Sequence, residues 1–418
     1  MAGNTVATSV ASVRIKRLSV SHILWGGLWF YIGANAALSI LLRYGLYIAS
    51  VINTVMSVFL GVVLGMLALR RPSVLKFSLV PWIFSYFFWL PVSAWSSPIV
   101  GEQNLLRVGG LLAGKASIVL AIIVGFKLVN FPYALTLASR WFIRGVLLVS
   151  ILLLVHGLEP IPVTNRLGDL ELINSKMLGQ YISIAIPMLF FLPISRLPIV
   201  RYSLLVFFAV LLIAIFGKAS ILATAVGVTA GWLLARRKSP AFFVFAIAFG
   251  LLSIAYNVPE QVQTYINSPL APTLTNRVPV WRFLLLLVEE RPLLGYGFGT
   301  VKDVLPAQAL GWSVLITQAH NAFLDSLFSG GYIGLIIFSL TIINAVSLIV
   351  RCVWKLRRGS LAAFLLSTLV ILLIRSTVEA SLHLGSDFFV LVLIALSASS
   401  VLSSPKSTQV KGRNSWGL

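Results

Sequence analysis

His320 and Asn321 open an apolar run that continues to Val350, and about sixty residues that cannot span a bilayer precede them. An imidazole titrates near neutral pH, so at a water–lipid boundary it suits proton transfer. The first N–H groups of the helix it opens, and the helix dipole, favour a bound anion. Asp325 follows about one turn later. The same two residues also fit a plain helix cap. Arg277 stands forty-three residues before His320, placed to fold back over it. Its planar guanidinium can hold phosphate oxygens two at a time. Three other histidines, His22, His156 and His383, fall at the ends or turns of apolar runs and read as interfacial residues with a polar tip. Neither an Asp-x-Asp pair nor a Cys/His cluster occurs, so the expected chemistry uses a base and cations, with no metal and no cofactor.

The elements that position these groups follow from composition. Of 418 residues, 59% are hydrophobic and 10% charged, with a mean hydropathy of +0.98. Repeated apolar runs of this kind read as transmembrane helices. The first run is too long for a signal peptide, and one cysteine, Cys352, excludes a disulfide framework. A formal charge of +21 would suit nucleic acid, but its distribution argues against that partner. Segments 1–21, 70–76, 127–144, 196–201, 236–238, 351–358 and 405–418 hold 21 of the 32 Lys and Arg and no Asp or Glu. That asymmetry makes them cytoplasmic loops and termini.

The fold expected is all-α: a polytopic membrane protein of about twelve spans with one large loop on the face opposite the cytoplasm. The spans are 22–42, 46–69, 77–95, 106–126, 142–157, 178–195, 202–217, 219–235, 240–257, 321–350, 359–380 and 387–403. The chain then divides into helices over 1–257, the loop over 258–320, helices over 321–403 and a tail over 404–418. Within the loop, 280–288 is an apolar stretch too short to span, with Trp281 and Arg282 near its start and Pro279 ahead of it. It reads as a helix at the outer interface. Gly295, Gly297 and Gly299 follow no strand, so they make a turned or flexible loop rather than a dinucleotide fingerprint. Gly330 and Gly334 give a small face that lets another helix approach. Arg375 and Glu379, four apart, read as an intrahelical pair.

His320-Asn321, nine residues and then Gly331-x-x-Gly334 resemble the signature of the bacterial O-antigen ligase and polymerase superfamily. Arg277-x-x-x-Trp281 and the block from Pro292 to Gly299 resemble its preceding motif. The likeness spans roughly 200–385 and implies a glycosyltransferase-C-like fold. It implies transfer of a glycan from undecaprenyl pyrophosphate to a sugar hydroxyl of lipid A–core at the periplasmic face of the inner membrane. His320 maps onto the family's base and Arg277 onto its loop arginine. Lys218 stands nearest to a second family cation, and Arg166 resembles another recurrent position. Asn321 and Trp281 join these as substrate contacts.

Two alternatives stay open. A polymerase of the same superfamily would use the same chemistry on another lipid-linked unit. A transporter or lipid flippase would also have twelve spans, but its ionisable groups belong near the middle of broken helices.

Overall fold

Long apolar runs satisfy their own backbone groups as helices, the arrangement lipid demands, and the computed structural model is built from them. It describes residues 20–43, 77–98, 102–129, 131–156, 160–161, 166–167, 175–195, 197–215, 218–235, 277–304, 318–356 and 359–404. The helices are α1 (Val20–Arg43), α2 (Val80–Trp95), α3 (Glu102–Val129), α4 (Tyr133–His156), α5 (Ser175–Phe191), α6 (Pro198–Ala214) and α7 (Lys218–Ala235). They continue with α8 (Arg277–Glu290), the single turn α9 (Val301–Val304), α10 (Ala322–Leu356), α11 (Ser360–Ser376) and α12 (Ser386–Ser403). A 3-10 turn, Ala380–Leu382, joins the last two. Strands β1 (Pro160–Ile161) and β2 (Arg166–Leu167) pair antiparallel, with Ile161 opposite Arg166.

Four of these helices are long and apolar enough to cross a membrane: 108–129 in α3, 133–155 in α4, α10 and α12. The expected spans 46–69 and 240–257 lie outside the described residues, as do most of 158–177 and the tail after 404. The expected spans 202–217 and 219–235 are separate helices, α6 and α7, and Lys218 is the first residue of α7. Several boundaries differ. Of the expected loops 196–201 and 351–358, most is helical, because α6 begins at Pro198 and α10 runs to Leu356. The segment 127–144 is not a loop either, because α4 begins at Tyr133 and carries Arg140 and Arg144. Both cations find partners there. Arg140 Nε donates to Ile194 O at 2.9 Å, and Arg144 lies over the Trp141 ring.

Helices pair where glycine lets backbones touch. A Cβ on Gly33 would meet Phe142 O at 2.4 Å, and one on Gly145 would meet Phe30 O at 2.4 Å, which seats α1 on α4. Gly227 and Gly231 do the same for α7 against the Ser367 and Ala363 carbonyls of α11. Small residues at such crossings substitute for the hydrophobic drive that lipid removes. Helix α10 packs against α2, α8, α11 and α12 and so connects the halves of the bundle.

The helix carrying the expected site is bent. At Gly331 the backbone turns to φ 63°, ψ −165°, and the helix resumes beyond it. The carbonyls that the bend releases are taken over by other segments. Phe328 O accepts from Tyr296 N–H at 2.9 Å, and Ser329 O accepts from Gly297 N–H at 2.9 Å. Trp89 Nε1 donates to Gly330 O at 2.8 Å, and Tyr332 N–H turns to Pro292 O at 2.7 Å. The glycine-rich loop is therefore tightly turned, with φ of 68°, 96° and 74° at Gly295, Gly297 and Gly299. A Cβ on Gly331 would lie 2.3 Å from Leu293 C, and one on Gly295 would lie 2.5 Å from Gly331 N. Gly330 and Gly334 both face Trp89 of α2, as their spacing suggests.

Candidate active site

Three short segments converge beside the start of α10. The first is the N-terminus of α8. This helix buries Val280, Leu284 and Val288, spaced at i, i+4 and i+8, in a small core with Tyr296, Ala319, Leu327 and Phe328. Leu285, Leu286 and Arg282 stay exposed, so α8 buries one face and leaves the other open. Its first residue is Arg277.

The second segment is 319–321. Asn321 caps α10: its Oδ1 accepts the N–H groups of Phe323 and Leu324, both at 3.0 Å. Its Nδ2 donates to Thr377 O at 3.1 Å. Ala319 is gripped at both ends. Its N–H donates to Asp325 Oδ1 and its carbonyl accepts from Trp281 Nε1, each at 2.8 Å. His320 between them adopts φ 54°, a left-handed backbone that a non-glycine residue holds only when its surroundings enforce it. The capping expectation therefore holds for Asn321, and His320 lies just outside the helix.

The third segment, 377–379, follows α11. Helix α11 ends at Ser376, and Glu379 takes extended angles of φ −140°, ψ 147°. This corrects the expected intrahelical pairing, because Glu379 no longer shares a helical face with Arg375. Glu379 Oε1 stands 3.5 Å from Arg277 Nη2, and its Oε2 stands 3.7 Å from His320 Nδ1. Arg277 Nη1 also donates to Val378 O at 2.6 Å. Base candidate and arginine candidate thus meet on one carboxylate. The His320 side chain keeps 28% of its surface exposed.

Arg375 is fully buried. It pairs with Asp387 at 3.1 Å, and its Nη1 donates to Gln180 O at 3.0 Å and to Ser183 Oγ at 3.1 Å. It ties α5, α11 and α12 together. Trp281, like Asn321, is engaged with the His320 segment. Lys218 begins α7 and Arg166 lies in β2, but their side chains are outside the described set.

His383 is not an interfacial residue with a wet tip. Its side chain is 1% exposed, with Nδ1 3.5 Å from Asp325 Oδ2 and Nε2 2.5 Å from Tyr86 Oη. Tyr86 Oη in turn lies 2.7 Å from Ser326 Oγ. Asp325 therefore links a buried polar chain to the backbone that precedes His320. Sequence reasoning missed Glu379 and His383. A usable signal existed for the first, because Glu379 is the sole acid between Asp325 and Asp387.

The fold and this cluster define a class: a helical membrane protein with an accessible imidazole and a guanidinium gathered where a short amphipathic helix meets the bundle. Residues 203–339 match the model of the O-antigen ligase family. The matched segment contains Lys218, Arg277, Trp281, His320 and Asn321, while Arg166 and Glu379 fall outside it. No curated protein matches the chain.

Proposed function

We propose that the chain is an O-antigen ligase. It transfers a glycan from undecaprenyl pyrophosphate to a hydroxyl of lipid A–core at the periplasmic face of the inner membrane, within about twelve spans and with both termini cytoplasmic. The observation that carries the reading is the shared contact of Arg277 and His320 with Glu379. The family match over residues 203–339 and the apolar helices support the membrane setting.

The reaction follows from the charges. The acceptor oxygen attacks the anomeric carbon, the carbon–oxygen bond to phosphate breaks, and the electron pair leaves with the diphosphate. The acceptor's proton passes to His320, a contribution of about 10²–10⁴-fold. Guanidinium donors of Arg277 meet the charge developing on the diphosphate. One displacement inverts the anomeric centre and uses no metal. Both lipid-borne reactants arrive already concentrated in the membrane plane. Lys218 and Arg166 are assigned to the carrier phosphates by resemblance. Asn321 and Trp281 serve the substrate through the segment they hold.

A transporter would set its ionisable groups midway along the spans. Arg375 instead lies in the last turn of α11 and Asp387 in the first turn of α12. Lys115 lies midway along α3, but its ammonium stands 5.5 Å from the ring of Phe389, near the start of α12. The test is a deletion strain. The ligase reading expects lipid A–core without O-antigen while polymerised glycan stays on the carrier. Single carrier-linked repeat units would show a polymerase instead.

A further inference from the structure

Glu379 faces the site with one oxygen toward each functional side chain. We infer that Glu379 is the positioning residue of the reaction: it holds His320 with Nε2 as the proton-accepting nitrogen and fixes Arg277 at the same time. The inference rests on the reading of His320 as the base.

The argument starts from the ring. A neutral imidazole carries one hydrogen, and the partner of one nitrogen decides which tautomer is present. His320 Nδ1 is buried and lies 3.7 Å from Glu379 Oε2, beyond hydrogen-bond length, so the two interact by charge alone: the carboxylate repels a bare Nδ1 lone pair and attracts an Nδ1–H. The hydrogen therefore belongs on Nδ1, and Nε2 keeps the lone pair. When Nε2 accepts the acceptor's proton, the ring becomes cationic beside a carboxylate already in place to stabilise it, as in other carboxylate–histidine pairs.

The scaffold makes this arrangement rigid. Ala319 is fixed from both sides, Asn321 is committed to the cap, and Thr377 and Val378 are held by Asn321 and Arg277. Glu379 is thus tied through its neighbours to both segments it serves. Among the described residues, few charged and titratable groups surround His320. Arg277 comes from α8, Glu379 follows α11, and Asp325 of α10 is engaged by Ala319 and by His383. Arg277 opposes a protonated ring and Glu379 favours it. Removing the carboxylate shifts the balance in one direction only.

The test compares Glu379→Gln and Glu379→Asp with the unaltered protein, purified in detergent, with thermal unfolding as the check on folding. Donor and acceptor lipids are extracted from the deletion strain, and kcat and KM for the donor are measured. Glu379→Gln should lower kcat at least about tenfold, with a smaller change in KM for the donor. Glu379→Asp keeps the charge and should retain more of kcat than Glu379→Gln. A Glu379→Gln variant with unchanged kcat, or one whose kcat falls no further than that of Glu379→Asp, overturns the inference and leaves the ligase reading standing. If Glu379→Gln does not fold, Glu379→Asp decides: a lowered kcat with an unchanged KM supports the role, and a raised KM with an unchanged kcat overturns it. If His320→Ala transfers glycan normally, the underlying reading fails first.

Discussion

Two histidines at one end of the bundle each stand beside a carboxylate, and their surroundings differ. His320 lies 3.7 Å from Glu379, sits on a strained backbone and keeps more than a quarter of its side-chain surface open. His383 lies 3.5 Å from Asp325, touches Tyr86 and is sealed. Similar pairs thus stand in unlike settings. The open pair leaves part of its imidazole accessible, whereas the sealed pair has spent both nitrogens on the protein. The contrast teaches that a histidine beside an acid is not by itself a reactive group, and that exposure and the second nitrogen decide.

The largest test of this contrast is His320→Ala. The protein should fold and insert, and transfer should fall by about 10²-fold or more, the size of a lost general base. Full transfer in that variant would erase the distinction. Next comes Gly331→Ala, which strikes the common support of both histidines. A Cβ there collides with Leu293 and forces a left-handed residue, so folded yield should collapse. Gly334→Ala, whose Cβ would stand 3.3 Å from Trp89, should lower the melting temperature only slightly. If the two variants behave alike, the bend is not what organises this end.

His383→Ala sharpens the comparison from the other side. It strips partners from Asp325 and Tyr86, at about 2–4 kcal/mol for buried groups left unpaired. The expected outcome is a lower melting temperature, with transfer per folded molecule retained. A variant of native stability and no transfer would give the sealed pair a direct chemical role. The smallest effect belongs to Tyr296→Phe. Burial, and then the hydrogen bond to Glu290, push the Tyr296 phenol up to about 12. Its contribution is fully present below pH 10, the ordinary phenol value, and is lost as pH rises through about 12. Tyr296→Phe should cost about 1 kcal/mol near neutral pH and flatten the alkaline fall in stability.

Much of this was legible in the chain. Apolar runs located the helices, Pro279 and the 280–288 stretch located α8, and the Gly330–Gly334 spacing foretold the close approach of α2. His320 and Arg277 stand out in the sequence as candidates, and the structure brings both to Glu379. What escaped were relationships across long separations. Glu379 looked bound to Arg375 because four-residue spacing implies a helical face, but the helix stops at Ser376 and the spacing loses its meaning. His383 looked wet because it sits in a short turn, whereas its burial depends on Tyr86, nearly three hundred residues away. The left-handed backbone of His320 likewise arises from bonds made by Trp281 and Asp325.

The bend in α10 has a consequence for biogenesis. Its released carbonyls are answered by Trp89 and by Tyr296 and Gly297, all of which leave the ribosome before Phe328 does. When α10 enters the translocon, every group needed to receive the distorted turn has already been synthesised. A nascent chain deprived of either upstream segment would relieve those carbonyls by running α10 straight, and the end bearing His320 would never take shape.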